Sequence, residues 1–242
     1  MRIPLARAGW REMLIITVVA GGGALAFFLL AYAGYAWAWP IAGLLALLWL
    51  GGLAFFRDPE RTVPTEPDSM VSPADGLVVE ISDVDSHPDI QGPARRIGIF
   101  LSVFNVHVNR SPCGGIVRLM RYQPGQFLDA RTPNCGELNE SNTVVIEPDD
   151  PSEGPVVVRQ IAGLIARRIV CDLKVGDRVE KGQRIGLIKF GSRTELILPA
   201  QSPYQPSVRV GQKASGATTI LARRESEKPS AAASSSKNTG LP

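Results

Sequence analysis

The residue types at Gly191 and Ser192 suggest a reaction of the chain with its own backbone. The pair lies between two apolar runs. The first run ends at Phe190, and the second begins near Leu196. Glycine has conformational freedom that other residues lack, and serine places a hydroxyl where the chain can bend sharply. One interpretation is a β-turn between two strands. The other is that Ser192 Oγ attacks the carbonyl carbon of Gly191.

Such an attack would convert the peptide bond into an ester. A hydroxyl with an ordinary pKa needs a base within hydrogen-bond reach, and the base needs a partner that orients it. Elimination would then leave dehydroalanine, whose hydrolysis releases ammonia and leaves a pyruvoyl group at a new N-terminus. A carbonyl of this kind can withdraw electrons from a bound amine, as pyridoxal phosphate does.

His107 is the candidate base. Polar and apolar residues alternate around it, so on a strand Asn105, His107 and Asn109 would share one face. That face would either line a site or form an exposed polar surface. The other histidine, His87, lies in a loop-like segment rich in Asp and Ser, where we expect it to be solvated.

Asp75 is the candidate partner of the base. It lies in Ser-Pro-Ala-Asp-Gly, which is typical of a turn. Its carboxylate either serves the turn alone or orients His107 and stabilises its charged form.

Cysteine and histidine usage argues against a metal site. The three cysteines, Cys113, Cys135 and Cys171, are widely spaced and odd in number, which indicates a reducing compartment and partly buried thiols. With only two histidines in the chain, we expect no bound metal.

The N-terminal region predicts a helical hairpin at a membrane. Residues 13–56 carry no charged side chain, and a spanning helix needs ~20 apolar residues. The aromatic-rich stretch before Pro40 divides this run into helices over about 13–32 and 40–56. Arginines flank both outer ends, which predicts that both ends are cytoplasmic. A re-entrant hairpin and a cleaved signal peptide remain alternatives.

The rest of the chain predicts a mostly β domain. Short Val- and Ile-rich runs alternate with Gly and Pro. We predict a membrane hairpin over 1–56, a Pro-rich connector over 57–70, a β-rich domain over 71–222 and a disordered tail over 223–242. The predicted strands cover residues 76–81, 96–104, 115–122, 143–147, 155–161 and 184–189. Residues 161–170 fit a short helix and a strand equally well.

The charge distribution gives no sign of a nucleic-acid partner. The net charge is only +3, and the excess of basic residues lies at the two ends of the chain, where it could contact an anionic membrane surface.

One segment resembles the barrel-sandwich hairpin of biotinyl and lipoyl carrier domains. Residues 175–188 contain a Gly-turned loop that leads into a strand. This resemblance predicts a barrel-sandwich-like α+β fold. It does not predict a carrier function, because Lys181 is not flanked by two methionines as an attachment lysine would be.

Five motifs, in one order, resemble the phosphatidylserine decarboxylases of the short bacterial type. The likeness extends from the apolar segment to about residue 222. The motifs are Phe56-Arg-Asp-Pro-Glu-Arg61, Ser72-Pro-Ala-Asp-Gly76, Phe104-Asn-Val-His-Val-Asn-Arg110, Gln160-Ile-Ala-Gly-Leu-Ile-Ala-Arg-Arg-Ile169 and Phe190-Gly-Ser-Arg193.

The resemblance implies a pyruvoyl-dependent lyase that matures by cleaving itself between Gly191 and Ser192. A β chain of residues 1–191 and an α chain of 192–242 would follow, with the pyruvoyl cofactor made from Ser192. The family uses an Asp and a His with this Ser, and Asp75 and His107 match them. Longer family members carry a second histidine where this chain has Arg110. Either His107 serves both maturation and decarboxylation here, or Arg110 and Asp75 take over part of its role.

The function implied is decarboxylation of phosphatidylserine to phosphatidylethanolamine at the inner membrane, with the catalytic domain in the cytoplasm. Arg167 and Arg168 are candidates for the lipid phosphate, and Arg110 and Asn105 are further substrate-binding candidates. A homodimer is compatible with the sequence. The alternatives are a membrane-anchored barrel-sandwich adaptor or carrier without catalysis, and a decarboxylase of a related serine-headgroup lipid.

Overall fold

The chain folds into a mostly β domain preceded by apolar helices. A computed structural model describes residues 5–132, 135–164, 168–189 and 191–225. The prediction of a β-rich domain behind an apolar helical segment is confirmed.

The helices lie almost entirely at the N-terminus. Two helical segments, Arg7–Tyr32 and Ala38–Phe55, are long and apolar enough to cross a membrane, by length and composition alone. A π-helical turn over Thr17–Gly21 lies within the first segment and joins its two α-helices. The α-helices in the part of the chain that the structure describes are α1 (Trp10–Ile16), α2 (Gly22–Tyr32), α3 (Ala38–Phe55) and α4 (Cys135–Leu138).

The N-terminal helices form an antiparallel hairpin. Near its open end Ile16 packs against Gly52, and Trp49 Nε1 donates a hydrogen bond of 3.1 Å to Thr17 Oγ1. Near the connecting turn the rings of Phe28 and Trp39 meet edge to face, with centroids 5.6 Å apart. Contacts that run in opposite directions along the two segments define the hairpin.

Within the described residues, fourteen strands form one large and two small sheets. The large sheet has the order β13-β2-β3-β11-β7-β6-β5-β9, and the small sheets have the orders β4-β10-β8 and β1-β14-β12. The strands are β1 (Ser69–Val71), β2 (Gly76–His87), β3 (Gly92–Leu101), β4 (Val108–Arg110), β5 (Gly115–Gln123), β6 (Ser141–Glu147), β7 (Val156–Ile161), β8 (Arg168–Cys171), β9 (Arg178–Val179), β10 (Arg184–Lys189), β11 (Ser192–Pro199), β12 (Tyr204–Pro206), β13 (Lys213–Ala214) and β14 (Ile220–Arg224).

Alternation along the strands builds the main hydrophobic core. On β11 the even-numbered Leu196 and Leu198 face this core, whereas Ile197 packs in a separate cluster on the opposite face. Because side chains alternate across a strand, Ser192 and Thr194 lie on the core-side face of β11 and Arg193 lies on the other. This alternation decides which residues can meet Ser192.

The base of the helical hairpin packs on the β domain. Ala6 N donates to Phe56 O at 2.8 Å, which closes the two outer ends of the hairpin together. A buried apolar cluster then joins this base to β4 and β10; it consists of Ala6, Phe55, Phe56, Val106, Val108 and Leu187. The boundary predicted after residue 56 therefore coincides with a packed contact.

Several predicted boundaries differ from the observed ones. All six predicted strands are present, but β2 continues to His87 and β3 stops at Leu101. His87 is therefore buried at a strand end, and the expectation that it is solvated was wrong. The reason is that β2 and β3 pair up to His87 and Gly92, which encloses the imidazole.

The regions that the sequence left open or assigned to linkers are partly ordered into strands. Within 161–170, β7 ends at Ile161 and β8 begins at Arg168, with residues 165–167 outside the described part. The connector contributes β1, and β14 runs to Arg224, past the predicted boundary at 222. The rest of the predicted tail, from residue 226, lies outside the described residues.

Candidate active site

Ser192 begins β11 as a fully buried residue next to a glycine in a left-handed conformation. Gly191 has φ +59°, a region that disfavours other residue types. Ser192 pairs with Leu101 on β3 and is 0% exposed. Within the described residues its Oγ has no hydrogen-bond partner. A buried hydroxyl without a partner is costly, so this hydroxyl contributes nothing to stability through hydrogen bonding within the described residues.

His107 points a lone pair at the backbone of Gly191. Its Nδ1 lies 3.0 Å from Asn105 O, and a carbonyl can only accept, so Nδ1 carries the proton. Its Nε2 accepts a hydrogen bond of 3.2 Å from Gly191 N. The two contacts fix one neutral tautomer, with the basic nitrogen beside the peptide that the sequence singled out.

The surroundings of His107 keep it neutral. Burial lowers the pKa of His107 to about 4, with the charge of Arg57 acting in the same direction and the hydrogen bond to Asn105 opposing it. The ring of Phe55, at the end of α3, packs on the imidazole with centroids 4.3 Å apart. At physiological pH the neutral imidazole keeps its basic lone pair on Nε2 unprotonated, as a general base requires, and release of the hydrogen bond from Gly191 N would open that lone pair to a hydroxyl proton.

A row of buried amides crosses the sheet beside this site. Asn142 on β6 donates to Gln160 on β7 at 3.0 Å, and Gln160 donates to Asn109 on β4 at 2.9 Å. Asn109 in turn donates to Thr194 Oγ1 at 3.0 Å. We call these four residues the amide row. Because Thr194 and Ser192 share a face of β11, the row lies on the same side of the sheet as the reactive serine.

The single strand face predicted for Asn105, His107 and Asn109 was wrong. Only Val108–Arg110 is a strand, and Asn105 lies in a turn where its Oδ1 accepts from Ser102 N and Ser102 Oγ. An Asn side chain that caps its own turn competes with strand pairing, which explains the break. Asn105 contacts His107 through its backbone carbonyl instead.

Asp75 is placed away from His107. Its Oδ2 accepts from Arg61 at 2.7 Å, and its Oδ1 accepts from Gly216 N at 2.7 Å. The pairing of Asp75 with His107 is thus not formed among the described residues. Asp75 instead fastens the connector to the turn that precedes β14, and its role in self-cleavage stays a prediction.

Arg110 is also engaged in structural contacts. It is buried, it forms an ion pair of 2.9 Å with Asp58, and it donates to the carbonyls of Pro59 and Gly182. Asp58 pairs with Arg184 as well. Arg110 therefore holds the connector against β10, and a contact with substrate stays a prediction.

Of the two arginines proposed for the lipid phosphate, Arg168 lies within the described residues. Arg168 begins β8, is exposed and lies opposite Lys189 in the pairing of β8 with β10. Arg168 is thus level with the last residue of β10, which lies two residues before Gly191. Arg167 lies outside the described residues.

Lys189 and Glu12 form an ion pair that the sequence analysis missed. Lys189 Nζ lies 2.5 Å from Glu12 Oε1, with side-chain exposures of 8% and 31%. The pair joins α1 to the strand that ends two residues before Gly191. A signal for it exists in the sequence, because Glu12 is the only acidic residue before Asp58 and Lys189 interrupts an apolar strand.

The residue after Ser192 belongs to a second missed network. Arg193 lies on the opposite face of β11, is 3% exposed and forms ion pairs with Glu80 and with the fully buried Glu195. Arg96 approaches Glu195 at 3.8 Å. This network anchors the start of β11 from the side away from His107.

These residues can support cleavage of the chain and fit a pyruvoyl group at position 192. A partnerless hydroxyl is buried one residue from a backbone N–H that is bonded to a neutral histidine. The hydroxyl supplies a nucleophile and the imidazole a base, while the buried surroundings would shield a carbonyl there from water.

Comparisons with known proteins identify the family. The family model described as phosphatidylserine decarboxylase matches residues 53–222. A phosphatidylserine decarboxylase proenzyme of Rhodopirellula baltica is 42% identical over 221 residues, covering 91% of this chain and 88% of the relative. A protein of the same name from Ralstonia nicotianae is 42% identical, covering 90% and 94%, and one from Erythrobacter litoralis is 46% identical, covering 77% and 76%. The chain therefore belongs to the phosphatidylserine decarboxylase family.

Proposed function

We propose that this chain decarboxylates phosphatidylserine to phosphatidylethanolamine, using a pyruvoyl group made from Ser192. The observation that carries the proposal is the hydrogen bond from Gly191 N to His107 Nε2, next to the buried and partnerless hydroxyl of Ser192. Membership of a family whose relatives are named proenzymes supports it.

Maturation would use the residues of the chain alone. Ser192 Oγ bonds to the carbonyl carbon of Gly191 while the bond from that carbon to Ser192 N breaks. His107 Nε2 takes the hydroxyl proton and passes it to Ser192 N, which leaves as a free amine. Loss of the Ser192 α-proton then breaks the ester at Cβ and leaves Gly191 as a carboxylate. One water hydrolyses the resulting dehydroalanine, which releases ammonia and completes the pyruvoyl group.

In the mature enzyme, a pyruvoyl group at position 192 would supply an electron-withdrawing carbonyl for an amine substrate. His107, neutral at physiological pH, is placed to hold or return a proton at Nε2 beside this group. The apolar wall formed by Phe55 excludes water from the same side. Arg168, with Arg167, is our proposed contact for the lipid phosphate.

The helical hairpin would hold the enzyme at its substrate. We propose that α1 to α3 lie in the cell inner membrane, spanning it or re-entering one leaflet, with the β domain in the cytoplasm. Most large apolar side chains of these helices are exposed, as a lipid-facing surface requires. The domain boundaries remain those proposed from the sequence, within a barrel-sandwich-like fold.

Two polypeptides would make up each mature protomer. The β chain would comprise residues 1–191 and the α chain residues 192–242, and two protomers could associate as a homodimer. Since β11 lies between β3 and β7, the α chain would contribute a central strand to a sheet otherwise made by the β chain. The fragments would therefore stay together after cleavage.

The test combines a denaturing gel with a lipid assay. Purified wild-type protein in detergent should give two fragments and convert phosphatidylserine to phosphatidylethanolamine. Ser192→Ala should give a single chain and no product. A related serine-headgroup lipid, assayed in parallel, separates the two substrate classes. An intact wild-type chain without decarboxylase activity would contradict the proposal.

A further inference from the structure

The carbonyl group of Gly191 lies directly against Gly163, a residue with no role in the chemistry described above. A Cβ built on Gly163 would lie 2.3 Å from Gly191 O and 3.2 Å from Gly191 C. No real Cβ approaches an oxygen so closely. These two atoms are the carbonyl that Ser192 is proposed to attack, so the contact involves the reacting group itself.

Gly163 cannot move away to relieve such a contact. The preceding residue is fixed on both sides, because Ala162 N donates to Glu140 O at 2.9 Å and Ala162 O accepts from Asn139 Nδ2 at 2.8 Å. On its other side, the same built Cβ would lie 3.3 Å from the Cβ of Ala130. The space beside Gly163 is closed.

Gly191 is held with equal firmness. His107 accepts its N–H, and the next residue, Ser192, is paired with Leu101 in the sheet. The φ of Gly163 lies outside the left-handed range, so its backbone conformation is open to alanine. The requirement for glycine at 163 therefore comes from space alone, unlike the requirement at 191.

We propose that Gly163 is a positioning residue for self-cleavage, whose missing side chain lets the Gly191 carbonyl take the orientation that Ser192 Oγ attacks. This inference rests on the proposed function. A carbonyl is attacked from above its plane, so a rotated peptide turns the carbon away from the hydroxyl. A side chain at 163 would force that rotation, since the Gly191 oxygen is the atom it meets.

The effect should be confined to maturation. Misplacing reacting groups by about 1 Å can slow a reaction roughly 100-fold, which is the slowing expected for Gly163→Ala. Once the chain is cut, Gly191 is a free carboxyl end that can shift away from the added methyl. Molecules that have matured should then turn over substrate at nearly the wild-type rate.

The experiment compares Gly163→Ala with Gly92→Ala, a matched control because a Cβ at Gly92 meets nothing within 4 Å. Each full-length protein is produced by pulse-labelled cell-free synthesis in detergent, and cleavage is followed on denaturing gels. After long incubation, pyruvoyl groups are counted with a carbonyl-reactive hydrazide and decarboxylation is expressed per pyruvoyl group. Folding is compared by thermal unfolding of Ser192→Ala with and without Gly163→Ala.

Slow cleavage of Gly163→Ala, with wild-type cleavage of Gly92→Ala and wild-type turnover per pyruvoyl group, is the expected result. Cleavage of Gly163→Ala at the wild-type rate would overturn the inference. So would failure of the double variant to fold, or equal losses of maturation and turnover, since each marks a general structural role. Failure of the proposed function would appear separately, as a wild-type chain that never cleaves.

Discussion

The pH dependence of self-cleavage should reveal how His107 is held. If neutral His107 accepts the proton of Ser192, the cleavage rate follows the neutral fraction of this one side chain. Burial lowers the pKa of His107 from 6.5 to about 4. The rate should therefore stay level as the pH falls to about 5, and decline only as the pH passes through about 4.

The expected difference from an ordinary histidine is large enough to measure. At about pH 5.5, a pKa of about 4 leaves ~97% of His107 neutral, whereas a pKa of 6.5 would leave ~9%. The two cases differ roughly tenfold in cleavage rate at that pH. Changing Phe55 to alanine admits water to the imidazole. The pH at which the cleavage rate of this variant falls by half should therefore move upward toward 6.5.

The assay is a pH jump on newly made proenzyme. Protein labelled in a short pulse of cell-free synthesis is transferred into detergent buffers from about pH 3.5 to 8, and the cleaved fraction is read from gels. His107→Gln serves as the control and should cleave ~100-fold more slowly or worse, without the acid transition. A wild-type midpoint near 6.5, or one unmoved by Phe55→Ala, would refute this reasoning.

The same pKa shift makes folding depend on pH, and the uncleaved Ser192→Ala variant allows this to be measured. The unfolded chain binds a proton at His107 between pH 6.5 and about 4, whereas the folded chain does not. The contribution of neutral His107 to the free energy of unfolding is present in full above pH 6.5 and is lost as the pH falls toward 4. It amounts to about 3 kcal/mol of unfolding free energy, which denaturant titrations at the two pH values should show.

Four further substitutions test the contacts around the site. Lys189→Met should cost about 2 kcal/mol of stability in thermal unfolding, and adding Glu12→Gln should recover part of it because no unpaired charge remains. Asn109→Leu should cost about 1–3 kcal/mol by the same measurement, since the neighbours of Asn109 in the amide row lose their partners, and a neutral result would contradict their burial. Arg193→Met removes the nearer cation from Glu80 and Glu195 and leaves them Arg96, at 3.8 Å from each, so the cleaved α chain should separate from the β chain at lower denaturant on gel filtration; unchanged retention would show that the network does not anchor it.

The parts of the fold that follow from local patterns were predictable. Val- and Ile-rich runs bounded by Gly and Pro marked six of the fourteen strands, because half-buried strands need that alternation. The aromatic-rich stretch before Pro40 predicted where the helical hairpin turns. Short strands such as β9 and β13 were missed, since two residues carry no detectable period.

The candidate pair Gly191-Ser192 and the candidate base His107 could be proposed from their chemistry, but their geometry could not be predicted. Ser192 and His107 were identified by residue type and motif, and in the structure His107 accepts a hydrogen bond from Gly191, the residue before Ser192. The partner of His107 was misassigned because hydrogen bonding to a backbone carbonyl leaves no signature in side-chain identities. Asp75 forms an ion pair with Arg61 of the connector, and no local sequence pattern predicts this contact.

The dependence of the site on the hairpin was also beyond local patterns. Phe55 looks like one more apolar residue of a membrane helix, yet its ring covers His107. Gly163 looks like a loop glycine, yet it lies against the reacting carbonyl. Both contacts join residues far apart in the chain, so only the folded structure shows them.

The most direct test of the account is the intact mass of the purified wild-type protein under denaturing conditions. We predict two species, residues 1–191 ending in a free carboxyl group and residues 192–242 lighter by one ammonia than the same peptide beginning with serine. Sodium borohydride should add two hydrogens to the smaller species only. A single full-length chain, or a small fragment that retains serine at position 192, would contradict the central claim.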